Sequence, residues 1–290
     1  MGFIHHLDGL HAVAGLLVGI LVGLTGVGGG SLMTPLLVLL FGVSPTTAVG
    51  TDLLYASATK TVGSAVHGWR ETVDWQVMQR LALGSIPAAL FTLMVLNRAG
   101  PLSKATQNDL MLGLAAMLAL TSVLVLLQKR IVALAGRRKL ARGHRHSPRV
   151  VLGTVALGAL LGTAVSLTSV GAGAIGVTAL LLLYPELPMS RIVGTDIAHA
   201  VPLTLVAGMG HWIYGDVDGV LLVNLLLGSV PGIIIGSLIS SRSPDGVLRP
   251  LLGMVLVLSS WQLFLKASRP AEALARHALP AAAHSPATRG

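Results

Sequence analysis

Val49-Gly50-Thr51-Asp52 recurs as Val193-Gly194-Thr195-Asp196, 144 residues further on. Gly84-Ser85-Ile86-Pro87 recurs at that offset as Gly228-Ser229-Val230-Pro231, and His67, Asp74 and Arg98 meet His211, Asp218 and Arg242 there. The stretch Thr25-Gly26-Val27-Gly28-Gly29-Gly30 is answered by Thr168-Ser169-Val170-Gly171-Ala172-Gly173, one residue out of step with the rest. Most of the chain is therefore written twice. Duplicated apolar segments interrupted by glycine in matching places point to a central binding site between two halves in a membrane.

Composition places the chain in lipid. Hydrophobic residues make up 53% and charged residues 11% of the 290, and the mean hydropathy is +0.79, whereas a soluble domain carries about 25% charged residues. In lipid the backbone must bond itself, which leaves helices or a closed barrel. The apolar runs are continuous and about 20 residues long, so helices are expected. The net charge of +9 suggests nucleic acid only until it is located. Lys129, Arg130, Arg137, Arg138, Lys139, Arg142, Arg145 and Arg149 crowd one loop, the positive-inside mark of a cytoplasmic loop. No interleaved aromatic residues support base stacking, so no nucleic-acid partner is expected. Cysteine is absent, which removes disulfides, thiolate metal sites and thiol nucleophiles. The start of the chain has no basic n-region, so the first apolar run is expected to be a retained helix.

Apolar segments fall near 9–27, 31–41, 45–66, 76–97 and 108–127, then 150–167, 174–184, 190–210, 219–241 and 247–265. The second segment of each half is too short to span: eleven helical residues reach roughly 16 Å against a hydrocarbon core of about 30 Å. Each half should open with a helix broken at glycine or followed by a re-entrant half-helix. If the first two segments make one crossing, each half has four spans and the halves are parallel. If they make two, each half has five and the halves are inverted. The expected fold is all-α, a polytopic transmembrane bundle of two homologous repeats of about four spans each, with glycine-broken or re-entrant helices. Residues 1–127 form the first repeat, 128–149 a basic cytoplasmic loop, 150–265 the second repeat and 266–290 a disordered tail. Gly15, Gly19 and Gly23 lie on one helix face, as do Gly158 and Gly162, which suits close helix packing.

The glycine stretches are the first candidates for chemistry. Backbone N–H groups at a broken helix, with the positive end of the next helix dipole, can cradle an anion at membrane depth. That reading makes Thr25, Gly28, Gly29, Gly30, Ser31, Thr168, Ser169, Gly171 and Gly173 candidate substrate contacts; a tight turn or helix crossing is the competing reading. Asp52 and Asp196 sit in apolar helices, where an ionised carboxylate needs a partner, water or a proton. They are candidates for proton coupling or gating, or they hold the N–H groups of the facing broken helix. Symmetric retention favours the holding role. Lys60 breaks the repeat, since its counterpart is Thr204. It either neutralises an anionic substrate or pairs with a carbonyl or with Asp52, eight residues back on one helix face. His199, matching Tyr55, is a candidate proton relay or a hydrogen-bonded core histidine. His67 and His211, at helix ends, are expected at the interface. His5, His6 and His11 lack the donors of a metal site, and no metal or cofactor is expected.

Taken in order, Gly26 to Ser31, Pro35, the Val-Gly-Thr-Asp motif, the His67 region and their repetition resemble the sulfite exporter TauE/SafE family of membrane permeases over roughly residues 10–265. The resemblance implies a multi-pass secondary carrier of the bacterial inner membrane with about eight spans. Its substrates would be sulfite, sulfonates or related small sulfur or carboxylate anions. The buried aspartates make protons the candidate coupling ion. Ala172 and Ala174 stand where the first stretch has Gly29 and Ser31, so equal contact of both halves with substrate does not follow. The alternatives are an anion channel or a membrane-embedded enzyme. No catalytic residues are expected, because a nucleophile–base pair and His-Glu-x-x-His are missing.

Overall fold

Lipid offers the backbone no hydrogen bonds, so each long apolar run closes its own ladder as a helix. A computed structural model describes residues 9–25, 30–69, 72–98, 104–138, 147–240 and 245–278. These residues form α1 (Gly9–Thr25), α2 (Gly30–Leu39), α3 (Pro45–Trp69), α4 (Trp75–Arg98) and α5 (Lys104–Arg138), then α6 (Pro148–Thr168), α7 (Ala174–Leu183), α8 (Met189–Ile213), α9 (Gly219–Ser240) and α10 (Asp245–Ala278). No strand occurs among the described residues. Among the described residues six stretches are long and apolar enough to cross a membrane, lying in α4, α5, α6, α8, α9 and α10. The protein is a multi-pass, all-helical membrane protein.

Helix directions follow from which residues meet. Gly15 and Gly19 of α1 lie against Leu225 and Ser229 of α9, and Gly158 and Gly162 of α6 lie against Leu81 and Ser85 of α4. Both pairs are parallel, and a Cβ at any of these glycines would strike backbone; small residues let the helices approach this closely. α3 and α8 run antiparallel, with Leu54 beside Gly208 and Gly50 beside His211. So do α5 and α10, where Ser122 donates to the Gly253 carbonyl at 2.9 Å and Ser260 to that of Ala115 at 2.8 Å. α8 runs parallel to α4, because His199 meets Ser85 and Gly210 meets Leu93. α9 runs parallel to α3, with Asp218 at Thr51 and Ser229 near Tyr55. Thus α1, α3 and α9 point one way and α4, α6 and α8 the other.

The short helices turn the chain back. His11 near the start of α1 stacks on Phe41 just after α2, ring centroids 4.4 Å apart. Thr154 early in α6 meets the Tyr184 hydroxyl just after α7 at 2.7 Å. Each pair is a hairpin that returns to the side it left. Each half then adds three long helices, an odd number, so α6 starts on the opposite side from α1. Each half opens with such a hairpin and adds three long helices; in the second half α6, α8, α9 and α10 are all long and apolar enough to cross. The ten-residue helices α2 and α7 rise only about 15 Å.

Two expected boundaries also shift. The basic stretch from residue 128 begins inside α5, which continues to Arg138, and α10 runs through Lys266 to Ala278, into the expected tail. Ala, Leu, Glu, Lys and Arg are strong helix formers, and the two helices continue past Gly136 and Pro270 respectively. Lys266 further donates to the Val38 carbonyl at the end of α2, 2.7 Å away.

Candidate functional site

The repeated Val-Gly-Thr-Asp motif lies where α3 and α8 meet, and each residue has a mechanical task. Gly50 lies against the Asp216 carbonyl and Gly194 against that of Thr72, with no room for a Cβ. The Thr51 hydroxyl accepts the Asp218 N–H at 3.2 Å, and Thr195 accepts that of Asp74 at 2.8 Å. Asp74 and Asp218 in turn cap α4 and α9, accepting the N–H of Val77 and of Leu221 at 3.3 and 2.9 Å. Each threonine therefore clips its helix to the start of a helix in the other half.

The aspartates hold the short helices. Asp52, fully buried, accepts a hydrogen bond from the Thr34 hydroxyl of α2. Ser169 lies beside it, its hydroxyl outside hydrogen-bond geometry. Asp196 lies against the N-terminal turn of α7, beside the Gly173 N–H. A Cβ on Gly176 would overlap its Oδ1. A resident carboxylate thus faces the positive end of α7, which favours it electrostatically. Asp52 and Asp196 each meet a short helix, α2 at Thr34 and α7 at its first turn.

Between α6 and α7 the backbone turns through Ser169, in the left-handed region at φ 57°, and through Gly171 and Gly173 at φ 132° and 130°. The two glycines occupy conformations that side chains resist. The Thr168 hydroxyl is consumed by the turn: it donates to the Ala164 carbonyl at 2.7 Å and accepts the Val170 N–H at 3.2 Å. In the first half, Thr25 ends α1 and Gly30 begins α2, Ser31 is buried, and Gly28 and Gly29 lie outside the described residues.

Lys60 crosses from α3 to this second turn. Its Nζ donates to the Ala172 carbonyl at 3.4 Å, and the residue is buried. Its foremost electrostatic neighbour is Asp196 of the other half, ahead of Asp52. Of the partners expected for Lys60, the one it bonds is a carbonyl, that of Ala172 in the other half; Asp52, eight residues back and about 12 Å away in rise, is its second charged neighbour. His199, also buried, shares a hydrogen bond of 2.8 Å between its Nε2 and the Ser85 hydroxyl. Tyr55, its counterpart, turns toward Ser229, the counterpart of Ser85. His211 is buried in the protein, 3% exposed, with Nε2 at 2.9 Å from the Ser166 carbonyl and Nδ1 at 3.5 Å from Asp216. The side chain of His67 lies outside the described residues, as do His5 and His6. Among the described residues no three His, Cys, Asp or Glu converge as metal ligands.

Buried polar atoms are normally hydrogen-bonded. Here Asp52 Oδ1, Asp196 Oδ1, His199 Nδ1, Ser169 Oγ and the Tyr55 hydroxyl have no such partner among the described residues. All belong to the residues gathered where α3, α8 and the second turn meet. Sequence reading missed Thr34, Tyr55 and Ser85 as members of this group. Ser85 stood in a quoted repeat, and Thr34 was the one hydroxyl residue within the first short apolar helix besides Ser31.

The family model described as sulfite exporter TauE/SafE matches residues 11–263. A probable membrane transporter protein of Bacillus subtilis, YjnA, is 39% identical over 255 residues, covering 86% of this chain and 96% of its own length. A second from that organism, YdhB, is 30% identical over 238 residues, 80% of this chain and 90% of its own. A probable membrane transporter protein of Xylella fastidiosa is 26% identical over 250 residues, 84% and 90% of the two chains. No solved structure matches the chain.

Proposed function

The chain belongs to the sulfite exporter TauE/SafE family of membrane transporters, and on that premise we propose that it is a secondary carrier of small anions, sulfite or organosulfonates, across a bacterial inner membrane. The two halves are inverted copies, and the anion binds between them at Lys60. The observation that carries this reading is the buried Lys60 ammonium, whose counterpart is Thr204, reaching from one half to the glycine turn of the other. Ser169 Oγ and His199 Nδ1, both without hydrogen-bond partners among the described residues, supply neutral donors around an oxyanion. Gly171 and Gly173 shape the turn that brings Ser169 and Ala172 to it. Burial of Asp52, Lys60, Asp196 and His199 means the site is closed to both sides, which suits a carrier between its outward and inward forms and not an open channel.

The test is transport by purified protein in proteoliposomes, with sulfite, methanesulfonate, taurine and acetate as probes. Saturable flux with counterflow of a sulfur oxyanion is the expected result. Flux that neither saturates nor shows counterflow identifies a channel, and preference for acetate over every sulfur anion removes the substrate assignment.

A further inference from the structure

Two carboxylates and one ammonium meet at the centre, and the two carboxylates are not served alike. Asp52 has the Thr34 hydroxyl as donor and Ser169 beside it. Asp196 has the Gly173 N–H and, as its charged neighbour, Lys60. Each keeps one oxygen, Oδ1, without a hydrogen-bond partner among the described residues. The titratable or charged side chains gathered here are Asp52, Tyr55 and Lys60 on α3 and Asp196 and His199 on α8. The neighbouring elements bring hydroxyls: Thr34 from α2, Ser85 from α4, Ser169 from the second turn and Ser229 from α9. No second cation is available among these residues to balance an added anion.

We propose that Asp196 is the binding site of a coupling proton, because an incoming anion and the Asp196 carboxylate compete for the single Lys60 ammonium. The proposal rests on the carrier reading above. In the resting state the Lys60 ammonium donates to the Ala172 carbonyl and lies near Asp196 as its charged neighbour. When a monovalent anion takes the ammonium, the carboxylate would lose that neighbour in the membrane interior, which is strongly disfavoured. Asp196 Oδ1 therefore takes one proton from the aqueous side on which the anion enters. The anion and the proton cross together, one to one, and leave together: the carboxyl returns its proton to water and Lys60 returns to the carboxylate. The cycle moves no net charge.

The first measurement needs no substrate. Thermal unfolding of the full chain in detergent is followed from about pH 6 to about pH 8.5 for the wild type, Lys60→Gln, Lys60→Gln/Asp196→Asn and Lys60→Gln/Asp52→Asn. Without Lys60, the folded protein retains a proton on Asp196 that the unfolded chain gives up. The folded state then binds more protons, so its stability falls as pH rises. The melting temperature of Lys60→Gln should drop by about 3 °C or more across that range. Asp196→Asn should remove the slope and Asp52→Asn should leave it. A flat Lys60→Gln profile, or a slope removed by Asp52→Asn in place of Asp196→Asn, overturns the proposal.

The second measurement uses methanesulfonate, whose charge is fixed throughout this range, so any pH dependence belongs to the protein. Its affinity, read from the ligand-induced rise in melting temperature, should weaken by up to about tenfold per pH unit in the alkaline limb of the wild type. That dependence should be absent in Asp196→Asn. A profile as steep in Asp196→Asn as in the wild type overturns the proposal. If methanesulfonate neither binds nor moves in the wild type, the substrate reading fails for monovalent sulfonates, and the melting series alone decides the competition for Lys60.

Discussion

Residues 50–60 and 194–204 are the same helix segment in two copies, and they diverge at particular places. Gly50 and Gly194, Thr51 and Thr195, and Asp52 and Asp196 are retained, and each pair clamps backbone: a close approach, a clip to a capped helix, a hold on a short helix. Tyr55 faces His199 across the repeat, and Lys60 faces Thr204. The Thr204 hydroxyl simply bonds the Ala200 carbonyl of its own helix at 2.8 Å, whereas Lys60 reaches into the other half. Repeated positions in this segment build the frame, and the unrepeated ones bring distinct chemistry to its centre. A second lysine at 204 would supply one ammonium for each carboxylate and leave none in demand for a substrate.

The comparison breaks most completely if the halves do not run in opposite directions. Single cysteines placed at Ser147, just before α6, and at Ala12, in the first turns of α1, should be labelled by an impermeant reagent from opposite faces of the membrane. The basic residues around 137–149 place Ser147 on the cytoplasmic face. Labelling of both from one face would mean parallel halves.

Next in size is the helix contact that the two halves share. Gly84 lies against Val155 and Ala159, and Gly228 against Ala12 and Leu16, and a Cβ at either would strike backbone. Gly84→Leu and Gly228→Leu should each cost well over the roughly 1–3 kcal/mol of ordinary overpacking, with loss of folded protein on size-exclusion chromatography. Survival of one but not the other would show that the frame is less symmetric than its sequence.

The unrepeated positions should separate by function and not by folding. Lys60→Gln should lower anion affinity tenfold or more, about 1.4 kcal/mol, in transport assays at low pH, where Asp196 can be protonated. Thr204→Val, which removes a hydroxyl bonded only within α8, should change affinity by less than about twofold, within the roughly ±0.5 kcal/mol of a neutral substitution. Equal losses in the two variants would take Lys60 out of the site.

The smallest effect should be the most symmetric. Thr51→Val and Thr195→Val each remove the acceptor of one backbone N–H, part-buried at Asp218 and buried at Asp74, and should destabilise by about 1–2 kcal/mol in both halves. Thermal unfolding in detergent reads this directly. A marked difference between the two would mean that one clip bears on a moving interface.

How far these contacts could be anticipated varies with the kind of contact. The Gly15-x-x-x-Gly19 and Gly158-x-x-x-Gly162 faces announced close packing, since spacing by four places residues on one side of a helix. They did not announce that α1 packs on α9 and α6 on α4. Lys60 was legible as the odd residue of the repeat, but its reach to Ala172 and Asp196 was not, because the partners lie more than a hundred residues away. His211 looked interfacial from its place near a helix end; a carbonyl of α6 and Asp216 in the following turn bury it. The helical part of the basic stretch was hidden because apolar periodicity ends before helix propensity does.

By itself the sequence determined the solvent, the all-helical class, the family and the recurrence of its motifs, because apolar length, glycine placement and motif spacing are local properties of the chain. It also singled out Lys60, Asp52, Asp196 and His199 as costly residues for lipid. The relative direction of the halves was left to the tertiary structure, since it depends on whether ten-residue helices cross or turn back. So was the choice of which carboxylate neighbours the one ammonium. That choice is made by packing α3 against α8 and the second glycine turn, across a distance in sequence that no periodicity records.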